Sequence, residues 1–257
     1  MRLANKTAVI TGAGSGMGKA MAERFTAEGA RVLCTDISGA EAEVAQAVGG
    51  GAISLHVDVS NEQDIQKMIA TAEDAFGRID ILVNNAGFGG GMALLHEQST
   101  ENWDRVHEAN LKGVFFGLKY GVISMMKTGG GSIVNVSSAS GLVGWRKHSI
   151  YGAAKAGVNQ LTKAAALDYA RRKIRVNAIL PGTIWTGLVP ASKQFSAPPP
   201  TAPRIPGIPM DRWGLASEIA DAALFLASDE AAYITGVLLP VDGGFCIGFS
   251  GMAAETD

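Results

Sequence analysis

A tyrosine and a lysine, Tyr151 and Lys155, stand four positions apart in the sequence. The apolar spacing around them predicts a helix from Ser149 to Ala170, and residues four apart share one face of a helix. A free tyrosine has a pKa of about 10, so too little phenolate is present at neutral pH for efficient acid–base catalysis. A neighbouring ammonium favours the phenolate and lowers that pKa. The pair is therefore a candidate proton donor and acceptor.

A serine at the end of a predicted strand adds a third polar group. Ser138 stands thirteen residues before Tyr151 and follows an apolar run, Ser132–Ser137, that predicts a strand. At the carboxyl edge of a parallel sheet its hydroxyl could polarise a carbonyl oxygen. Ser137 is the nearest alternative. Adjacent strand residues point to opposite faces, so only one of the two serines can reach such a site.

An asparagine lies within a second long helical pattern, predicted from Thr100 to Met126. Asn110 is an unusual choice for a helix interior. Its amide could hold a water that relays protons outward from Lys155. A structural amide is the alternative.

A glycine-rich turn begins where the first predicted strand ends. Gly12, Gly16 and Gly18 lie where the strand Thr7–Thr11 ends and a helix predicted over Gly16–Ala27 begins. Glycines allow the backbone to turn tightly and to approach a pyrophosphate at the helix N-terminus. The turn therefore predicts a dinucleotide site.

An acidic residue at the end of the second predicted strand supports this interpretation. Asp36 follows Gly18 by 18 residues, where a carboxylate can accept hydrogen bonds from the adenosine ribose hydroxyls. A carboxylate there also repels a 2′-phosphate, and neither Ser15 nor Ile37 supplies a compensating cation. We therefore predict NAD(H) in preference to NADP(H). A helix cap for the segment that follows Asp36 is the alternative.

The elements that must position these residues alternate along the chain. The predicted strands are Thr7–Thr11, Arg31–Asp36, Ile53–Val57, Ile79–Asn84, Ser132–Ser137, Ile174–Leu180 and Val237–Pro240. The predicted helices are Gly16–Ala27, Ala40–Ala47, Glu62–Phe76, Thr100–Met126, Ser149–Ala170 and Ala216–Ala227, with Ser60 or Asn61 and Ser99 as candidate caps. Near-continuous apolar strands are typical of a parallel sheet covered on both faces. We predict an α/β fold: a single domain, residues 1–257, with a doubly wound, seven-stranded parallel sheet flanked by helices.

One segment breaks this pattern. Seven of the nine prolines lie between Thr186 and Asp211, together with several apolar residues. Proline disfavours regular elements, and long loops in compact domains are often lids. We predict a proline-rich substrate lid at about 186–211, with a passive surface loop as the alternative.

Composition excludes several classes of function. The net charge of -2 and the even spread of Lys and Arg argue against a nucleic-acid partner. The first apolar run is too short for a signal peptide, and none is long enough for a membrane span, which predicts a soluble cytoplasmic protein. Cys34 and Cys246 have no metal-ligand spacing, so we expect free thiols and no metal.

Taken together, these motifs resemble the short-chain dehydrogenase/reductase family over essentially the whole chain. The motifs are Thr11-Gly-x3-Gly-x-Gly18, Asn84-Asn-Ala-Gly87, Asn110, Ser138, Tyr151-x3-Lys155, Pro181-Gly182 and Asp242-Gly-Gly244. The resemblance implies a Rossmann fold and an oxidoreductase that moves a hydride while the tyrosine handles a proton. The family spacing also selects Ser138 over Ser137.

The resemblance also implies a fuller cofactor site. Asp58 and Val59 would line the adenine, Lys155 would hold the nicotinamide ribose, and Thr186 would contact the carboxamide. The expected cofactor residues are Gly12, Ser15, Gly16, Met17, Gly18, Asp36, Ile37, Asp58, Val59, Asn85, Ala86, Gly87, Tyr151, Lys155, Pro181, Gly182, Ile184 and Thr186. The expected catalytic residues are Asn110, Ser138, Tyr151 and Lys155.

Large apolar side chains flank the expected crevice. The expected substrate residues are Phe88, Ser138, Trp145, His148, Trp185 and Leu188. Their character favours a bulky, uncharged secondary alcohol or ketone that is cyclic, aromatic or steroid-like. His148 could bind a substrate oxygen, or its presence in the loop could be incidental.

Two other functions stay open. A 3-oxoacyl-(acyl-carrier-protein) reductase belongs to the same family, but Asp36 argues against it because those enzymes mostly use NADPH. A non-catalytic NAD-sensing protein would need only the glycine turn and Asp36, so the intact catalytic residues argue against it. Apolar residues on the two longest predicted helices, and the habit of the family, predict a homotetramer.

Overall fold

The computed structural model describes residues 1–186, 198–199, 202 and 207–248. The predicted substrate residue Leu188 and most of the predicted lid at 186–211 lie outside the described residues. Among the helices described, none combines the length and the apolar character that crossing a bilayer requires.

Seven strands form one sheet in which every neighbouring pair is parallel. They are β1 (Thr7–Thr11), β2 (Arg31–Asp36), β3 (Ile53–His56), β4 (Ile81–Asn84), β5 (Gly131–Val136), β6 (Ile174–Pro181) and β9 (Leu238–Val241). Two short strands, β7 (Ile184–Trp185) and β8 (Gly214–Leu215), pair separately. The sheet order is β3-β2-β1-β4-β5-β6-β9. The predicted seven-stranded parallel sheet is confirmed.

Helices cover both faces of this sheet. They are α1 (Gly16–Ala27), α2 (Glu41–Val48), α3 (Glu62–Phe76), α4 (Thr100–His107), α5 (Gly113–Thr128), α6 (Ser149–Tyr169) and α7 (Ala216–Ala227). One apolar cluster joins α1, α2 and α7 to the sheet, and a second joins α3, α5 and α6 to the opposite face. All four residues of β4 are buried, as expected for a strand with helices on both sides. The doubly wound α/β fold is therefore confirmed.

The sheet order changes direction at β1. Ala8 pairs with Val32 of β2 on one side and with Ile81 of β4 on the other. The chain winds outward from this point in both directions, so helices on opposite faces leave a crevice beyond the carboxyl ends of β1 and β4. The glycine turn after β1 and the Asn-Asn-Ala-Gly motif after β4 both open onto it.

Two helix starts carry the capping side chains that the sequence offers. Asn61, rather than Ser60, caps α3: its Oδ1 accepts a hydrogen bond from the Gln63 N–H at 2.9 Å. Ser99 caps α4, because its Oγ accepts from the Asn102 N–H at 3.1 Å.

The predicted long helix Thr100–Met126 is not one regular helix. A π-helical turn, Glu108–Lys112, separates α4 from α5. Within it the Asn110 side chain donates from Nδ2 to the Val106 carbonyl at 3.0 Å. That carbonyl is the acceptor that the Asn110 backbone N–H would use in an α-helix, so the side chain competes with the regular ladder. Single π turns of this kind often occur at functional sites.

Candidate active site

The glycine turn after β1 combines an unusual backbone angle with a close approach. Gly12 has a φ of +67°, a conformation that side chains disfavour. A Cβ on Gly18 would overlap the carbonyl oxygen of Gly12, so the first turn of α1 packs tightly under the loop. Gly18 is buried and supports the loop from beneath, whereas Gly12 and Gly16 line the crevice.

The crevice is a cleft of about 590 Å³ at the carboxyl edge of the sheet. Most of the predicted cofactor residues line it: Gly12, Ser15, Gly16, Met17, Asp36, Ile37, Asp58, Val59, Asn85, Ala86, Gly87 and Thr186. Phe88, predicted to face substrate, also lines it. The residues that the sequence analysis missed are Val57, Ser60, Arg105, Glu108 and Ala109. The first two flank Asp58 and Val59, and the last three precede Asn110, so proximity to the predicted residues was the available signal.

Asp36 is fixed at the edge of this cleft by the backbone. Its Oδ2 accepts a hydrogen bond from the Gly14 N–H at 2.9 Å, and its Oδ1 accepts from the Ser38 N–H at 2.9 Å. The second bond closes a local turn and is not the helix cap considered as the alternative, because α2 begins at Glu41 and its N-cap residue is Ala40. Each carboxylate oxygen keeps a further lone pair, so Asp36 can also accept hydrogen bonds from ligand hydroxyls.

Asn85 joins the loop after β4 to the glycine turn. Its Nδ2 donates to the Thr11 carbonyl at 2.8 Å and to the Gly12 carbonyl at 3.2 Å. Its Oδ1 is buried and has no hydrogen-bond partner within the described part of the chain. A buried unpaired acceptor is costly, and a ligand hydroxyl would satisfy it. Together with Asp36 and the open N-terminus of α1, this atom fits a bound dinucleotide.

Ser138 and Ser137 point in different directions, as strand alternation predicts. Ser138 lies beside the Tyr151 side chain, and its Oγ accepts a hydrogen bond from the Ser140 N–H at 3.1 Å. Ser137 instead donates from Oγ to the Lys155 carbonyl at 3.0 Å. Ser138 therefore lies beside the phenol, and Ser137 fastens β5 to α6.

Burial dominates the ionisation of the tyrosine and the lysine. Burial raises the pKa of the Tyr151 phenol, and the neighbouring Ser138 hydroxyl opposes this effect. Burial lowers the pKa of the Lys155 ammonium to about 8. The Lys155 Nζ donates to the Val136 carbonyl at 2.9 Å and lies 5.6 Å from the centre of the Tyr151 ring. The predicted lowering of the phenol pKa by Lys155 is not found, because the ammonium bonds a backbone carbonyl and burial has the larger effect.

The catalytic candidates meet the cleft at Gly87. A Cβ placed on Gly87 would lie 3.5 Å from the Lys155 Nζ and would overlap the Asn110 Oδ1. The lysine is therefore next to a residue that lines the cleft. Tyr151, one turn earlier on α6, lies on the same side.

The side chain of Asn110 holds the loop in front of this lysine. Its Nδ2 donates to the Phe88 carbonyl at 2.9 Å as well as to the Val106 carbonyl, and its Oδ1 accepts from the Phe88 N–H at 3.1 Å. Both amide hydrogens are thus occupied by backbone carbonyls. The structure therefore favours the structural alternative for this amide over the predicted water-holding role.

The predicted substrate residues separate into two groups. His148 packs against Tyr151, with ring centres 6.0 Å apart, and Trp145 packs against His148 at 5.7 Å. Trp185 is buried, and its ring contacts Trp213 with centres 5.2 Å apart. Trp145 and His148 therefore form a wall beside the phenol, while Trp185 packs against a partner distant in sequence.

Three predicted cofactor residues lie at the next carboxyl edge. Pro181 ends β6 and pairs with Val241. Gly182 packs so closely on Asp242 that a Cβ would be 2.7 Å from the Asp242 Cα. Ile184 lines a neighbouring cavity of about 310 Å³. These residues adjoin the main cleft without lining it.

Asn159 is a further residue that the sequence analysis did not select. It follows Lys155 by one helical turn, and its Nδ2 donates to the Gly141 carbonyl at 3.1 Å. Residues 139–141 form the short 3₁₀ turn that directly follows Ser138. The repeat of Tyr151, Lys155 and Asn159 at intervals of four was the signal that could have found it.

Known proteins resemble this chain over nearly its whole length. A family model described as enoyl-(acyl carrier protein) reductase matches residues 12–246. Glucose 1-dehydrogenase 2 of Bacillus subtilis is 41% identical over 252 residues, which cover 95% of this chain and 96% of that protein. The 3-oxoacyl-(acyl-carrier-protein) reductase of Thermotoga maritima is 43% identical over 254 residues, covering 96% and 100%. The crystal structure of a levodione reductase matches with a TM-score of 0.90 and 36% identity, covering 96% of this chain and 100% of that one.

Proposed function

Because this chain belongs to the short-chain dehydrogenase/reductase family and is an oxidoreductase, we propose that it interconverts a secondary alcohol and a ketone with NAD(H). One arrangement carries the proposal. Tyr151 and Ser138 lie side by side at the carboxyl edge of the sheet, and the Lys155 Nζ lies beside Gly87 of the cleft. A proton donor, a hydroxyl that can bind a carbonyl oxygen and a dinucleotide-sized cleft are therefore adjacent.

The side chains divide the proton chemistry between them. In the direction of alcohol oxidation, Tyr151 as phenolate removes the hydroxyl proton, and in ketone reduction it returns that proton. The Ser138 oxygen accepts from the Ser140 N–H, which leaves its own hydrogen to be donated to the substrate oxygen. Lys155, whose Nζ lies beside Gly87 of the cleft, would hold the nicotinamide ribose. When bound, the nicotinamide dinucleotide accepts or supplies the hydride.

Asp36 supports NAD(H) as the preferred cofactor. The backbone bonds to both carboxylate oxygens hold the negative charge in the lining of the cleft, where Asp36 would face the adenosine ribose of a bound dinucleotide. A carboxylate and a phosphate repel each other, whereas ribose hydroxyls can donate to the remaining lone pairs.

The walls of the site support a bulky, ring-containing substrate that is cyclic, aromatic or steroid-like. The relatives differ in the substrates that their names give, so this proposal about the substrate class is based on the side chains of the site. Phe88 lines the cleft, and Trp145 and His148 extend from the phenol as an aromatic wall. Flat aromatic surfaces suit an uncharged ring more than a small polar acid.

The proposed assembly and cellular location are based on membership of the same family. We propose that residues 1–257 act as one cytoplasmic domain in a homotetramer. An apolar groove between α4, α5 and α6 includes Leu111, Phe115 and Leu161, and the Phe115 side chain is exposed. Covering such a face with a second copy of the chain would remove it from water.

Oxidation of NADH by the purified protein tests the proposed function. The panel contains cyclic, aryl and steroid ketones and ketone-bearing acyl thioesters, with NADPH measured in parallel. We expect NADH consumption with at least one ring ketone and slower turnover with NADPH. Faster turnover of an acyl thioester with NADPH would instead establish the carrier-protein reductase activity. Tight NADH binding without turnover of any ketone would favour the sensing protein.

A further inference from the structure

The wall beside the phenol is a single short loop. Residues 142–148 connect the turn after Ser138 to the start of α6. The His148 N–H donates to the Trp145 carbonyl at 3.1 Å, and the Gly152 N–H donates to the His148 carbonyl at 2.8 Å. These bonds fix the backbone of both aromatic residues relative to the helix that carries Tyr151.

The aromatic rings of this loop continue away from the reacting group. Edge-to-face contacts run from Tyr151 to His148 at 6.0 Å, from His148 to Trp145 at 5.7 Å and from Trp145 to Phe245 at 5.4 Å, measured between ring centres. A ring substrate held at Tyr151 would therefore extend along His148 toward Trp145.

Both ring residues carry a polar atom that nothing in the described part of the chain satisfies. The Trp145 Nε1 and the His148 Nδ1 are buried and have no hydrogen-bond partner among the described residues. Leaving a buried polar group unpaired costs free energy, and native proteins rarely leave two of them side by side without a reason. Burial also lowers the pKa of His148, which favours the neutral imidazole.

We propose that Trp145 and His148 form a subsite for a second oxygen of the substrate. The inference rests on the proposed function and narrows its substrate class to ring ketones and ring alcohols that carry another hydroxyl or carbonyl group. An indole N–H can only donate, so the bound atom must be an acceptor. A neutral imidazole nitrogen either donates or accepts according to its tautomer, and both a hydroxyl and a carbonyl oxygen fit the pair.

The position of this subsite also defines which oxygen it binds. In the proposed function Tyr151 and Ser138 would contact the reacting oxygen, and Trp145 lies one ring further away, beyond His148. The second oxygen is therefore on the part of the ring that is remote from the reacting carbon. A site that hydrogen bonds such an oxygen discriminates strongly against an analogue that lacks it, because its buried groups are then left unpaired.

Three ring ketones test this subsite: cyclohexanone, 4-hydroxycyclohexanone and cyclohexane-1,4-dione. For the wild-type protein we expect kcat/KM to be at least roughly tenfold higher for the two compounds with a second oxygen, which corresponds to one or two neutral hydrogen bonds. In Trp145→Phe and His148→Phe, which keep an aromatic ring and remove the nitrogen, we expect this ratio to fall toward one. Trp103→Phe, an exposed tryptophan on α4, is the control and should keep the wild-type ratio.

Binding gives a second measurement that does not depend on turnover. The Kd of cyclohexane-1,4-diol relative to that of cyclohexanol, measured by calorimetry in the presence of NADH, to which an alcohol cannot transfer a hydride, should rise roughly tenfold in Trp145→Phe. Wild-type turnover of all three ketones with equal kcat/KM would overturn the subsite and leave the proposed function intact. Equal Kd values for the diol and the alcohol would overturn it as well, and an absence of turnover with every ring ketone would count against the proposed function.

Discussion

Tyr151→Phe is expected to lower kcat by at least roughly 10²-fold, the scale of a lost general acid–base, while NADH still binds. The substitution removes only the phenolic oxygen, which lies beside Ser138 and, in the proposed mechanism, exchanges a proton with the substrate. The ring itself, which packs against His148, is kept. Steady-state turnover together with NADH binding, measured by fluorescence titration, checks both parts of this expectation.

The control for this variant is Tyr233→Phe, because Tyr233 is fully exposed on the surface. It should keep wild-type turnover.

The wild-type protein should also show a pH dependence that Tyr151→Phe lacks. Alcohol oxidation needs the phenolate, so its rate should rise as pH rises through the pKa of Tyr151, and ketone reduction should fall over the same range. Wild-type turnover in Tyr151→Phe would contradict the mechanism.

Asp36→Ala is expected to reduce the preference for NADH over NADPH, measured as a ratio of kcat/KM values, by roughly ten- to hundredfold. This fold-change corresponds to the loss of hydrogen bonds to a charged group. The substitution removes acceptors for the ribose hydroxyls and the charge that repels a 2′-phosphate. The same carboxylate accepts from the Gly14 and Ser38 N–H groups, so Tm has to be measured alongside.

Glu43→Gln is a matched neutralisation of an exposed carboxylate on α2. It should leave the cofactor ratio unchanged. A wild-type protein that already turns over faster with NADPH would show that Asp36 does not set the cofactor preference. An unchanged ratio in Asp36→Ala would lead to the same conclusion.

Local sequence patterns were sufficient to predict the fold. Runs such as Ile81–Asn84 are apolar throughout because both faces of the sheet are covered, and this pattern is visible in the sequence. The helix starts at Asn61 and Ser99 depend on side chains a few residues from the backbone groups that they cap. Such short-range causes are readable without a structure.

Features that depend on contacts distant in sequence were not predictable in the same way. The π turn at Asn110 arises where its amide reaches both the Val106 carbonyl and the Phe88 backbone, 22 residues away. The packing of Trp185, a predicted substrate residue, against Trp213 could not be read from the sequence. The direction in which the pKa of Tyr151 shifts depends on burial, which only the assembled fold determines.

Some features of the site were predictable from the sequence only in part. The spacing of Tyr151 and Lys155 predicted a shared helix face, and the structure brings Lys155 beside the cleft at Gly87, with Tyr151 one turn earlier on α6. The choice between Ser138 and Ser137 followed from strand alternation once the family was considered, and their different hydrogen bonds agree with it. The contacts of Asn159 and the unpaired nitrogens of Trp145 and His148 required three-dimensional coordinates.

Isotope transfer is the most direct test that this protein moves a hydride between a ring alcohol and NAD+. The alcohol corresponding to the best ketone of the panel would carry deuterium on its carbinol carbon, and the NADH formed would be analysed by mass spectrometry. We predict one deuterium in each NADH formed by the wild-type protein, and no NADH above background from Tyr151→Phe. NADH that lacks deuterium, or equal NADH formation by both proteins, would contradict the account.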